Sequence, residues 1–211
     1  DSPNMSGFGV QVAYDAINSQ TATAANVIAP KPRIWSLAGT YSNGPLRVNA
    51  AYEKHNQYYA NAVTNGDESG WLIAAAYTFG GTVELGGMYT RQKAELAGAH
   101  ARVNAWQLGV DWKVSGPHSI KAAYTNAGDM KGTAGFNMGR RPVTGPDSGA
   151  YMVQARYAYA FSKRTDFNVG FNRVHNDSNS GYRLNSLGSS GAGGQIGAKH
   201  TFYGMALDHR F

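Results

Sequence analysis

Apolar and polar residues alternate with a period of two along most of this chain. Phe8, Val10, Val12 and Tyr14 alternate with Gly7, Gly9, Gln11 and Ala13. Trp35, Leu37, Gly39 and Tyr41 lead to an Asn43-Gly44 turn, and Leu46, Val48, Ala50 and Tyr52 return from it. Trp71, Ile73, Ala75, Tyr77 and Phe79 run into Gly80-Gly81, and Val83, Leu85, Gly87 and Tyr89 return. Trp106, Leu108, Val110 and Trp112 reach a Ser115-Gly-Pro turn, followed by Ile120, Ala122 and Tyr124. Tyr151 to Phe161 and Phe167 to Phe171 flank Ser162-Lys-Arg, and a last strand runs from about Ile196 to Phe211. In a strand, successive side chains point to opposite faces, so each run separates two environments. The pattern predicts about ten strands and no helical period of comparable strength.

The connections alternate as well. Short turns fall near residues 43, 80, 115 and 163, and longer polar stretches span 16–33, 54–69, 93–101, 126–148 and 175–194. Short on one side and long on the other predicts an antiparallel up-and-down transmembrane β-barrel. The aromatic residues are banked to match. On the apolar parity, Tyr41, Tyr77, Phe79, Trp112, Tyr159, Phe161, Phe167 and Phe211 lie near short turns. Tyr14, Trp35, Tyr52, Trp71, Tyr89, Tyr124 and Tyr151 lie near long connections. Two aromatic bands separated by aliphatic residues predict the two interfacial girdles of a membrane barrel. A soluble sandwich would turn its apolar face inward and scatter those rings along its strands.

The opposite parity holds Arg47, Glu53, Glu84, Asp111, Lys121, Arg156 and Asp166 among many small residues. A dry core does not hold so many charges, so this face is expected to line water. Its side chains are too small to fill a closed barrel of about ten strands, and a wider barrel is expected, of which this chain is a part.

Composition narrows the classes. The 211 residues contain no Cys, 27 Gly and 13 Tyr, and only 15% are charged. That excludes a disulfide framework and a thiolate metal site, and it suits strands and tight turns. No apolar run is long enough for a transmembrane helix, and Asp1-Ser-Pro-Asn does not read as a signal peptide. The net charge of +6 is spread over many strands, without the stacking aromatics of a nucleic-acid patch.

Together the residues resemble the trimeric general porins of Gram-negative outer membranes, in their β-proteobacterial form. Asp1-Ser-Pro-Asn-Met-Ser-Gly-Phe8 is similar to the start of a mid-barrel strand in that family. Ser162-Lys-Arg-Thr-Asp166 resembles a periplasmic turn near its end, and Tyr203 to Phe211 resembles its closing strand. The resemblance implies a single barrel portion over residues 1–211, with no second domain, forming the C-terminal strands of a barrel of about 16. It implies a water-filled channel for passive diffusion of small hydrophilic solutes and ions. Further implied partners are membrane lipid and lipopolysaccharide, the outer-membrane assembly machinery and two more copies in a homotrimer. Arg47, Glu53, Asp111, Lys121 and Arg156 are the expected pore-lining residues, with weak anion preference, and Arg156 lies nearer mid-membrane than Arg47 or Lys121. Tyr203, Met205, Leu207, His209 and Phe211 form the expected assembly signal.

No catalytic site, cofactor or metal site is expected. The six His residues lack metal-ligand spacing, and the Gly-rich run at 188–194 lacks the Lys-Ser/Thr of a phosphate loop. Lys31, Arg33, Arg91, Arg102 and Lys199 lie near the long connections, where lipid phosphates are expected contacts. Asp67-Glu68 and Asp147 read as solvated loop acids. The alternative reading is a complete ten-stranded outer-membrane barrel acting as a protease or an adhesin. His55 and His100 lie near the outer loops, but no paired Asp-His motif accompanies them.

Overall fold

A computed structural model describes residues 6–16, 32–60, 65–136, 144–182 and 196–210. Phe211, Met5, Lys31 and the 188–194 run lie outside the described residues. The elements are β1 (Phe8–Ala16), β2 (Arg33–Asn43), β3 (Leu46–Ala60), β4 (Asn65–Phe79), β5 (Val83–Leu96) and β6 (Ala99–Ser115). They continue as β7 (His118–Ala127), the two-residue β8 (Lys131–Gly132), β9 (Ala150–Ser162), β10 (Thr165–Asn176) and β11 (Lys199–His209). All belong to one antiparallel sheet in the order β1-β2-β3-β4-β5-β6-β7-β9-β10-β11, with β8 added to β6. β1 and β11 are its two edges and are not paired with each other.

The tight turns follow from their sequence. Gly80, Gly81 and Thr82 connect the paired residues Phe79 and Val83, and both glycines have positive φ, at 52° and 71°, which glycine adopts without steric cost. At the opposite end, two expected long connections are different. β5 and β6 stay paired up to Leu96↔Ala99, so only Ala97 and Gly98 turn the chain. β3 and β4 stay paired up to Ala60↔Asn65, apart from an irregularity between His55 and Tyr59. Asp67 and Glu68 are therefore strand residues, not loop residues. On these segments the outward parity turns polar, as at Ser69, Lys93 and Glu95, which reads as loop in the sequence. A hairpin that projects beyond a membrane no longer faces lipid, so strand pairing persists without an apolar outer face.

Little of the sheet is buried. Leu108, Leu207 and Met205 expose 60%, 66% and 81% of their surface on the convex face, together with Val12, Leu37, Ile73 and Leu85. A monomeric soluble protein does not present so large a contiguous apolar surface to water. The small core lies at the long-connection end of the concave face. There Met130 is fully buried against Ala94, Ala101 and Val103, with Phe136 beside them. Ser148 ties this fold-over down: its hydroxyl accepts from Met130 N at 2.8 Å and donates to Gly145 O at 2.6 Å. Asp129 Oδ1 accepts from Ser148 N and Gly149 N at 2.9 and 3.1 Å. Asn179 reaches the same segment, donating from its backbone N to Asp147 O at 2.8 Å and from Nδ2 to Pro146 O at 3.0 Å.

Candidate functional site

The convex face carries the two expected aromatic bands, and the structure adds contacts within them. Phe8 lies 4.4 Å from Tyr41, and Tyr77 4.7 Å from Phe79, between ring centroids at the short-turn end. At the other end Trp106, Tyr124, Tyr151 and His175 form a continuous run across four strands, at 5.3, 5.8 and 4.8 Å. His175 joins the outer band and His118 the inner one, where its Nδ1 lies 2.6 Å from the Tyr157 hydroxyl. The sequence reading placed neither. Their signal was parity alone, since both share a face with Tyr residues. Trp35 and Tyr41, Trp71 and Tyr77, and Trp106 and Trp112 are each six residues apart. Six residues span about 20 Å along a strand, so the two bands keep one separation from strand to strand.

The concave face holds a trough of about 1030 Å³. Arg47, Asp111, Lys121 and Arg156 all line it, as does Glu84. Register explains their assembly. Thr78, Glu84, Asp111, Lys121, Arg156, Gly170 and Gly204 are successive partners, so they form one rung across seven strands. Charges along that rung run negative, negative, positive, positive. Arg47 lies off the rung and ion-pairs with Glu84, and Thr78 donates to the same carboxylate at 3.2 Å. Lys121 ion-pairs with Asp111. Arg156 has no ion-pair partner among the described residues, so it stands as the uncompensated cation of the row. Glycine makes its place. A Cβ on Gly170 would lie 3.2 Å from Arg156 Cα and 2.6 Å from Ala155 O.

Glu53 shares the concave face but not this trough. It lies midway along β3, six residues beyond Arg47, and accepts from Ser36 Oγ at 2.5 Å. His55 Nε2 is 2.6 Å from its carboxylate, and His55 Nδ1 is 3.8 Å from Glu68. Glu53, His55 and Glu68 line a separate cavity of about 410 Å³. The four other pore-lining candidates are thus brought together, and Glu53 is not. Tyr203, Met205, Leu207 and His209 occupy the convex face of β11, and His209 Nδ1 lies 2.9 Å from Thr165 Oγ1. Two features of the trough escaped the sequence reading. Phe202 lines it from the concave parity of β11, and Asp208 accepts from Asn168 Nδ2 at 2.8 Å. Among the described residues no cluster of His, Cys, Asp and Glu could hold a metal ion.

A sheet that is apolar and aromatic-banded on one face, and charged and wet on the other, is the wall of a transmembrane β-barrel. A model of the Gram-negative porin family matches residues 1–179, and the chain belongs to that family. Its place is accordingly a bacterial outer membrane, and the family points to a channel rather than an enzyme. An anion-selective porin from Comamonas acidovorans superposes with a TM-score of 0.78 at 23% identity, over 100% of this chain and 57% of that one. OmpT, an outer membrane protein of Vibrio cholerae folded in vitro, gives 0.63 at 14% identity, over 85% of this chain and 56% of that one. Its trimer form gives 0.62 at 14% identity, with the same coverage. At these identities the likeness is one of fold. The chain spans little more than half the length of either protein. No curated protein sequence gives a significant match.

Proposed function

We propose that this chain forms part of the wall of a passive diffusion channel with weak anion preference. The observation that carries this reading is the charge row of the trough, in which Arg156 alone among the rung's charges lacks a counter-charge. A transverse row of fixed charges orders water and favours small charged solutes over apolar ones. An uncompensated cation in that row favours anions over cations. The Comamonas protein is described as anion-selective, which agrees with this reading.

The two unpaired edges fit a larger single barrel. Unpaired backbone in lipid costs several kcal/mol per group, so β1 and β11 require strands beside them. About 16 strands in all, in a trimer with two identical copies, is the arrangement we propose. The short turns then face the periplasm and the long connections the exterior. The convex side chains of β11 from Tyr203 to His209, with Phe211, serve in this reading as the signal read by the assembly machinery. Deleting Phe211 from the full-length protein should lower the amount assembled and leave single-channel conductance unchanged, and normal assembly would count against it.

The decisive experiment is a reversal potential in a salt gradient, recorded on the full-length protein in planar bilayers. The wild type should prefer anions, and Arg156→Glu should shift the potential toward cations. A wild type without conductance sinks the channel reading. A wild type that already prefers cations sinks the anion preference.

A further inference from the structure

One aromatic side chain departs from the two-band pattern. In β4 to β10 every Phe, Tyr and Trp falls on the convex parity, the face that meets lipid. Phe202 falls on the concave parity of β11, lines the trough and exposes 51% of its surface. Its ring is turned along the strand toward Gly204. A Cβ on Gly204 would lie 3.1 Å from Phe202 Cε1 and 3.7 Å from Cζ. Neither lipid nor the small core holds the ring on this face, where its neighbours are polar or lack side chains.

Register sets that ring at the end of the charged rung. Lys121, Arg156, Gly170 and Gly204 are successive partners on β7, β9, β10 and β11. From Arg156 to Gly204 is two strand spacings, about 10 Å, and neither position beyond Arg156 carries a side chain. Two residues toward the long connections, Gln154, Asn172 and Phe202 are partners. Two residues toward the short turns, Asn168 and Ala206 are partners. The two glycines thus form the floor of a shelf. A guanidinium stands at one end, a phenyl ring at the other, and asparagine amides along both sides. Gly170 is needed for the gap, since a Cβ there would lie 3.3 Å from Arg156 Cβ.

The charge at the shelf is positive. Arg156 is exposed and has no ion-pair partner among the described residues. The carboxylates on this part of the wall are engaged: Asp111 with Lys121, Asp208 with Asn168 Nδ2 at 2.8 Å, and Asp166 with Arg210 at 3.9 Å. A guanidinium presents parallel N–H donors that match the two oxygens of one carboxylate, so it orients such a group as well as attracting it. A phenyl ring gains most from a second ring, through stacking or edge contact beyond the area buried.

We infer that Arg156 and Phe202, with the floor of Gly170 and Gly204 between them, form a binding site for aromatic carboxylates. The carboxylate pairs with the guanidinium and the ring lies against Phe202. This deepens the proposed channel and rests on that reading's wet concave face. A small aliphatic anion reaches Arg156 and leaves Phe202 in water. An uncharged aromatic solute reaches Phe202 and leaves Arg156 in water. A solute carrying both groups engages both ends, and its second contact forms within an already bound molecule.

The test uses the full-length protein with benzoate as the probe, and acetate and benzyl alcohol as its two halves. Binding to the detergent-solubilised protein is followed by ligand-observed NMR titration, and conductance is recorded separately in planar bilayers. The wild type should bind benzoate about ten-fold more tightly than either half. Phe202→Ser should weaken benzoate by about three- to ten-fold and leave acetate unchanged. Phe202→Tyr keeps the ring and should bind as the wild type does. Arg156→Gln should weaken benzoate and acetate together and leave benzyl alcohol unchanged. Should Phe202→Ser fail to assemble, Phe202→Leu keeps the apolar volume without the ring and should still lose benzoate affinity. Equal binding of benzoate and acetate by the wild type overturns the site, even in a channel that conducts and prefers anions. Unchanged benzoate affinity in Phe202→Ser or Phe202→Leu overturns it as well and assigns the ring to packing. A protein that binds benzoate selectively but does not conduct upholds the site and sinks the channel alone.

Discussion

Lys121 and Arg156 are register partners on β7 and β9, two cations side by side on the concave face. Like charges directly opposite one another disfavour strand pairing. Lys121 relieves the contact by turning to Asp111 on its other side. Arg156 has a glycine as its other neighbour, Gly170, and no ion-pair partner among the described residues. The rung therefore ends in an uncompensated positive charge that neither residue would produce alone.

Asp111→Asn should release Lys121 and leave two uncompensated cations together. The reversal potential of the full-length channel should move toward anions, opposite in sign to the effect of Arg156→Glu. Stability should fall by no more than about 1 kcal/mol, because the pair is exposed and water screens it. A shift toward cations would mean that Asp111 does not offset Lys121 in the working channel.

Arg47 tests depth. It is the second residue of β3, next to the tight turn, whereas Arg156 is six residues from the end of β9. Bulk salt limits a charge's reach to about 8 Å at physiological strength, and a charge at the rim meets that salt directly. Arg47→Glu should therefore shift the reversal potential less than Arg156→Glu, though both reverse one charge. An equal or larger shift would put the narrow zone near the short-turn side.

Two mid-strand glycines should respond differently to the same methyl group. A Cβ at Gly170 would meet Ala155 O at 2.6 Å, and backbone there cannot move aside cheaply. A Cβ at Gly39 would meet nothing within 4 Å. Gly170→Ala should destabilise the folded barrel by about 1–3 kcal/mol in urea titrations from lipid vesicles, and Gly39→Ala by much less. Equal losses would mean that β9 and β10 approach less closely than the register implies.

The period-two pattern was enough to place the strands from Trp71 to Phe79 and from Val83 to Tyr89 on the correct faces, because lipid and water impose opposite demands on alternate residues. The same rule put Arg47, Asp111, Lys121 and Arg156 on one wall. Which charge stays uncompensated was not legible, since it depends on cross-strand register, and register depends on the lengths of several turns. Parity likewise put Glu53 on the concave face but gave no height, so its separation from the trough came only with β3 in place. The hairpin to Ala97-Gly98 was hidden for a different reason: beyond the membrane the outer face meets water, and Lys93 and Glu95 stand where the strands below carry large apolar residues. Lys131 reaches its place beside Arg102 through a long-range pairing of two residues, too short to leave a pattern.

Adjacent residues on β6 give the sharpest test of the two-solvent wall. Leu108 lies on the convex face between the bands, and Gln107 lines the trough. Leu108 is two residues from Trp106 and four from Trp112, so it sits well inside the apolar zone. An arginine facing lipid at mid-depth costs about 2–4 kcal/mol in such barrels, because the bilayer cannot solvate it without thinning. Leu108→Arg should therefore lower folding stability in vesicles by roughly that amount, less whatever its side chain regains by reaching toward the interface. Gln107→Arg adds the same group to a face already in water, so stability should change little and the reversal potential should move toward anions. If the two variants lose stability equally, the concave face is not wet. If Gln107→Arg alone is destabilised, the two faces are assigned the wrong way round.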